Sequence, residues 1–333
     1  MIRFLPFIVA VIFVWVLPLA SAPAVEPPSS WTHEWKQTDF SRTSIKFDEI
    51  MSGGLPKDGI PAIDQPTYQV PEKINNIGNQ EPVITVSLNG ETRAYPVRIL
   101  IWHEIANDAL GGVPIAVTFC PLCNSALVFD RRVKDQVLDF GTTGKLRNSD
   151  LVMYDRQTES WWQQFTGEAI VGKMTGAQLT ALPARVESFE RFRARTAGQE
   201  GATVLVPNYL SMRNYGYNPY SHYDRSTKPF LYGGKLPENI APLARVVVVG
   251  KEAWSLKLVR RLKQIKRGDL IITWEAGQNS ALDTTKISAG RDIGNVIVQR
   301  DGPNGPTDAV HDISFAFAFH AFYPKALIHT EIE

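Results

Sequence analysis

The sequence predicts a strand-rich α+β protein made of two degenerate pseudo-repeats, each of mostly antiparallel strands with short helices. First, 22 prolines and 24 glycines are scattered among short apolar runs, which is a pattern of many turns between short strands. Second, the chain has no heptad run and no low-complexity tract. Third, from Arg245 the order of motifs begins again. Val246–Val249 follows Val83–Leu88, Gly250–Trp254 follows Gly90–Tyr95, and a basic helix to Arg267 follows the first helix. Leu270–Thr273 then matches Ile115–Thr118, and Asn279-Ser-Ala-Leu282 repeats Asn124-Ser-Ala-Leu127. A four-letter identity is expected by chance in a chain this long; the ordered set of matches at similar spacing is what implies a repeat.

The 333 residues, 44% apolar and 21% charged, suit one large folded domain or two smaller ones. A net charge of +1 gives no electrostatic case for nucleic acid or acidic lipid as partner. Residues 1–24 are set apart: Arg3, then a mostly apolar run from Phe4 to Ala20, then small residues at Ala20, Ala22 and Ala24. This is the layout of a secretory signal, with Ala22-Pro23-Ala24 the preferred cleavage site and an uncleaved anchor the alternative. The expected location is periplasmic or extracellular, with no transmembrane span in the mature chain. That compartment is oxidising, so two neighbouring thiols there are expected to form a disulfide.

Residues 25–80 read as an extended N-terminal arm with apolar anchors such as Ile45, Phe47 and Ile63. The first pseudo-repeat is assigned to 81–206. It opens with the hairpin Pro82–Leu88 and Glu91–Pro96 around Asn89-Gly90. Pro96 and Gly111-Gly112 bracket an expected helix, Val97–Leu110, with His103 and Asn107 on one face and Glu104 and Asp108 beside it. Buried strands follow at Val113–Phe119 and Ser125–Phe129, then further strands to Val206 and a short helix at Phe189–Arg195. Residues 207–243 connect the halves and hold six of the ten tyrosines, among them Tyr209, Tyr215, Tyr220 and Tyr223. They either wrap the core or form a binding loop. Residues 244–333 are the second, degenerate pseudo-repeat.

The only two cysteines, Cys120 and Cys123, stand as C-x-x-C at the turn between two buried strands. Where the first copy has Phe119-Cys-Pro-Leu-Cys123, the second has Trp274-Glu-Ala-Gly-Gln278. A hairpin that manages without thiols makes them a functional difference rather than a staple.

The stretches Arg93–Leu100, His103–Asp108, Val117–Cys123, Gly144–Ser160 and Asp292-Ile-Gly-Asn295 together resemble the bacterial family catalogued as domain of unknown function 3179, over about residues 45–330. Asn124 stands where that family usually has Gly, and Arg147 where it usually has Tyr. The resemblance implies an exported protein and one site built from these stretches; it implies no activity.

Several chemistries are open to the thiol pair. A disulfide closing so short a loop contributes only about 2 kcal/mol before strain. A thioredoxin-like couple needs the first Cys at a helix N-terminus, and Asn124–Phe129 reads as strand. A metal knuckle fits a tight turn with Asn124 in the left-handed region, and copper or zinc are the candidate ions. His103 is the candidate third ligand, although helical and strand rises leave it about 10 Å out of level with Cys120. A core histidine bonded to a backbone carbonyl is its other reading. An envelope enzyme would use Cys120 as nucleophile, with His103 near, or Asp155 and Glu159 as acid and base beside Trp161-Trp162. An interaction module would dock an envelope partner or small ligand on the tyrosine segment. Gly141-Thr-Thr-Gly-Lys145 lacks the spacing of a phosphate loop.

Overall fold

The computed structural model of the chain describes residue 1, residues 26–208 and residues 213–331. The expected signal beyond Met1, and Tyr209, lie outside the described residues. Among the described residues no helix is long and apolar enough to cross a membrane.

Five small sheets stand as blades in a propeller-like ring. Sheet I has the order Arg185–Ser188, Pro82–Leu88, Glu91–Pro96, Ala202–Val206, Thr67–Gln69. Sheet II runs Thr180–Leu182, Ser125–Asp130, Val113–Cys120, Ile105–Leu110. Sheet III runs Ile50–Ser52, Phe140–Arg147, Asp150–Asp155, Trp161–Gln163, Ala169–Val171. Sheet IV is Asp312–Phe315, Arg245–Val249, Glu252–Ser255, Ile328–His329. Sheet V is Gln264–Arg267, Leu270–Glu275, Asn295–Arg300, Thr307–Asp308.

Sheet V repeats sheet II strand for strand, and sheet IV repeats four of the five strands of sheet I, with no counterpart of Thr67–Gln69. Each copy begins with a hairpin whose first strand takes an antiparallel partner and whose second takes a parallel one, Ala202–Val206 in one copy and Ile328–His329 in the other. Helices Val97–His103 and Leu256–Leu262 occupy matching places, as do Phe189–Arg195 and Ala316–Phe322. The copies also interlock reciprocally. Arg185–Ser188 packs on Asn295–Arg300, and its counterpart Asp312–Phe315 packs on Ser125–Asp130. Asn295 accepts from the Ser188 amide at 2.7 Å, and Asp312 accepts from the Ala126 amide at 2.9 Å. Sheet III has no counterpart: four of its strands are inserted in the first copy between Ser125–Asp130 and Thr180–Leu182, and the fifth, Ile50–Ser52, comes from the arm.

Two expectations are corrected. The helix expected over Val97–Leu110 ends at His103; Glu104 takes φ +59°, and Ile105–Leu110 is a strand paired with Val113–Cys120. Gly111 and Gly112, with φ of +55° and +77°, form the hairpin turn rather than a helix stop. A helix there would leave Val113–Cys120 without a partner on that edge, and a strand satisfies its backbone groups. The second copy makes the same break at Lys263, φ +64°. Phe119 donates to the Glu104 carbonyl and Trp274 to the Lys263 carbonyl, both at 2.8 Å. The matches of Leu270–Thr273 and Asn279–Leu282 to the strands of the first copy's cysteine hairpin imply a second hairpin over Leu270–Leu282, and this is the second correction. The return strand is Asn295–Arg300, and Asn279–Leu282 lies in the intervening loop. Asp292 closes that loop by accepting from the amides of Gly277, Gln278 and Gly294.

The arm supplies more than a cover. Ile50–Ser52 and Thr67–Gln69 are edge strands of sheets III and I, and Trp35, Phe47 and Ile50 form a small core with Tyr154 and Trp161. In Gly141–Lys145 the ladder slips between Thr142 and Lys145, with Gly144 at φ +69°. A Cβ on Gly144 would lie 1.9 Å from the Leu55 carbonyl oxygen, which is backbone and cannot rotate away. Gly144→Ala is expected to cost roughly 2–4 kcal/mol in urea unfolding; a loss under about 0.5 kcal/mol would show that the arm is not held where it lies.

Candidate functional site

Cys120 ends the strand Val113–Cys120 and pairs with Ser125, so Pro121–Asn124 must reverse the chain. Asn124 does so at φ +51°, in the left-handed region expected of it. The second copy grips this turn: the Phe315 amide donates to the Cys123 carbonyl at 2.8 Å, and Asn124 Nδ2 donates to the Ile313 carbonyl at 2.6 Å. Both cysteines are buried free thiols. Their separation of 4.1 Å is about twice a disulfide bond, so the expected disulfide is not formed. No helix begins at Cys120, and the dipole a thioredoxin-like couple uses is missing.

The third component comes from sheet III. Asn148 and Ser149, at φ +54° and +61°, form a two-residue turn between Phe140–Arg147 and Asp150–Asp155. This turn brings the Ser149 carbonyl to 3.4 Å from the Cys123 sulfur and 3.9 Å from the Cys120 sulfur. It also delivers Asp150, fully buried, so that one carboxylate oxygen and both sulfurs lie within 4.8 Å of one another. Asp150 Oδ2 accepts from Gln163 Nε2 at 2.6 Å and the Phe165 amide at 2.9 Å. Asp150 Oδ1 is buried without a hydrogen-bond partner.

Glu104 is the fourth acid. Because Ile105 pairs with Thr118, Glu104 comes level with Phe119, beside Cys120. Its buried carboxylate accepts no hydrogen bond among the described residues. Burial, with Asp150 near, pushes Glu104 up to about 8. Burial pushes Asp150 up to about 7, against the bonds from Gln163 and the Phe165 amide. Burial raises both thiols as well, Cys123 further because Cys120 adjoins it. Neither Glu104 nor Asp150 has an ion-pair partner among the described residues, so four acids share one buried space. The tyrosine segment roofs it. Tyr220 feels Glu104 and Cys120, and Tyr223 donates to the Leu122 carbonyl at 3.1 Å.

The other candidates lie elsewhere. His103 is buried with Nδ1 at 2.7 Å from the Pro61 carbonyl and Nε2 at 2.7 Å from the Tyr215 hydroxyl, outside the thiol–carboxylate cluster. The reason is the early end of the helix: the residue that comes level with the thiols is Glu104. Asp155 accepts from the Thr158 amide, the Thr158 hydroxyl and Trp162 Nε1. Glu159 pairs with Lys57 at 2.6 Å and takes the Gln37 amide. These two therefore cap a turn and tie down the arm. Sequence reasoning did not give Asp150, Glu104 or Ser149 a place at the thiols. The available signal was Asn148-Ser149 between two alternating runs, which marks a tight turn inside the Gly144–Ser160 stretch.

The buried thiol–carboxylate cluster thus joins residues of sheets II and III. The chain belongs to the family described as protein of unknown function (DUF3179), whose model matches residues 57–326. Neither a curated protein nor a solved structure matches it.

Proposed function

We propose that the protein is an exported metal-binding module that holds one zinc-like divalent ion between Cys120, Cys123 and Asp150. The observation that carries this reading is three ligand atoms within 4.8 Å of one another in a fully buried space. Buried ionised acids are costly unless a cation pairs with them, and neither carboxylate has one from the protein. The charge balance supports a divalent ion: two thiolates and one carboxylate exceed it by one negative charge, and a protonated Glu104 adds none. Asp150 in the place expected for His103 bears on the choice of metal. An oxygen donor beside two sulfurs suits zinc better than Cu(I), which prefers soft ligands alone. A redox couple is less well supported, because burial holds both thiols above their ordinary range, away from reactive thiolate. The same raised thiol weakens the case for Cys120 as a nucleophile. The leader-like residues 1–24 support export.

Cobalt(II) titration of the reduced protein tests this. One equivalent is expected to give sulfur-to-cobalt charge transfer in the near ultraviolet, lost in Cys120→Ser and Cys123→Ser. In Asp150→Asn the affinity is expected to fall at least about tenfold. A folded, reduced protein that takes up neither cobalt nor zinc would end the proposal.

A further inference from the structure

A second concave site lies away from the cysteines. Helix Leu256–Leu262, the chain at 239–245, the Arg291–Ile293 loop and Thr330 enclose a cleft of about 1000 Å³. That is the upper end of the size range of small-molecule sites, roughly 300–1,000 Å³.

The charges lining it are unequal. Six basic and three acidic side chains line the cleft. Two of the acids are already engaged inside the protein, as are the basic Arg225, Arg245 and Arg291. Asp224 is held by Arg245, Arg291 and Ser280, and Asp292 by three backbone amides. Lys257, Arg260 and Arg261 recur at helical spacing on one face, are exposed, and form no ion pair among the described residues. Arg260 lies 5.3 Å from the Trp274 ring centroid, which orders it without neutralising it. At the inner end, buried Arg245 lines the cleft and its Nε has no acceptor.

The uncharged lining is mainly aliphatic, with Ile240, Pro242, Leu243, Leu256, Leu258 and Ile293, and is interrupted by the polar Ser226, Thr227, Asn239, Ser255 and Thr330. No Trp, Tyr or Phe is among the described residues that line it, so there is no ring on which a sugar or nucleobase could stack. A basic helix face beside a mainly aliphatic lining complements an aliphatic chain that ends in an anionic oxygen group.

We propose that this cleft binds a single-chain amphiphile with an anionic oxygen headgroup, an alkyl phosphate or alkyl carboxylate, the head held by Lys257, Arg260 and Arg261. The site is independent of the metal reading and shares no residue with it.

Calorimetric titration of the full chain tests it with four probes: dodecyl phosphate and laurate below their micelle concentrations, dodecyl maltoside, and inorganic phosphate. At least one of the two anionic amphiphiles is expected to bind one to one, at least tenfold tighter than the neutral maltoside or inorganic phosphate. Which of the two binds tighter identifies the headgroup. In the triple variant Lys257→Gln, Arg260→Gln, Arg261→Gln that affinity is expected to fall at least tenfold. All three positions are exposed, and an unchanged cobalt spectrum or unfolding midpoint shows that the variant folds. Equal affinity for neutral and anionic probes, equal affinity for phosphate alone, or binding untouched in the triple variant would overturn the proposal. So would an absence of binding by both anionic amphiphiles, or capture by phosphatidylglycerol vesicles with no binding of monomer, which would mark a membrane-facing surface instead.

Discussion

Held reduced and free of metal, the protein is expected to lose stability as pH rises from about 4 to about 8, and zinc is expected to reverse the loss. Asp150 and Glu104 are raised from 3.8 and 4.5 to about 7 and about 8 in the folded chain. Between the unfolded and folded values the native state holds protons that the unfolded state releases. The stability contribution is therefore fully present below pH 4 and lost as pH climbs through 7 and 8. Each group contributes a slope of about 1.4 kcal/mol per pH unit inside its window, so the fall amounts to several kcal/mol. Zinc needs these same groups deprotonated, and its affinity rises over the range where the metal-free protein weakens. At about a thousandfold excess over Kd, binding adds about 4 kcal/mol, a rise in Tm of several degrees. Thermal unfolding at pH 5 and pH 8, with and without buffered zinc, measures both halves. The double variant Asp150→Asn, Glu104→Gln should flatten the metal-free slope. A metal-free protein equally stable at both pH values, or an equal zinc shift at both, would refute the proposed role of the acids.

How much of this was legible depended on how local the cause was. Asn89-Gly90 and Asn124 act through their own backbone preferences, and the turns they make are where they were expected. The recurring order of elements was legible as well: a short helix follows the strand Arg185–Ser188 in one copy and Asp312–Phe315 in the other, although the Ser-Phe pairs of the two copies fall one residue out of register. Glu104 was misplaced because its φ of +59° is imposed by pairing of Ile105 with Thr118, and nothing in the residue itself asks for it. That one residue changed the geometry of the site, since a strand in place of a helix brings Glu104 rather than His103 level with Cys120. Asp150 reaches the thiols from an inserted sheet, and no pattern within Gly144–Ser160 reports where that sheet packs. The tyrosine segment shows the same limit. Its composition indicated rings over a core, while Asp224 within it anchors three arginine and serine side chains from the second copy.

Removing the Asp224 carboxylate is expected to be the most damaging of the substitutions considered. Asp224 Oδ2 accepts from Arg245 Nη2 at 3.0 Å and from the Ser280 hydroxyl at 2.5 Å, and Oδ1 accepts from Arg291 at 2.8 Å. Arg245 is buried, 5.4 Å from the Phe315 ring centroid. Burial draws this guanidinium down, and Asp224 works against that. Asp224→Ala leaves the cation uncompensated, at an expected cost of about 3–5 kcal/mol in chemical denaturation. The double variant Asp224→Leu, Arg245→Met removes both charges and is expected to recover most of the loss, because the penalty comes from a stranded charge more than from a lost attraction. The pH dependence separates this pair from the thiol site. Burial raises Asp224, but Arg245, Ser280 and Arg291 more than offset it and hold it below its ordinary value of 3.8. Its stabilisation is therefore present above that value and lost as pH falls through the folded one, the opposite of Asp150 and Glu104. Should Asp224→Ala cost less than about 1 kcal/mol, or the double variant be no better than the single, the second copy does not depend on this ion pair.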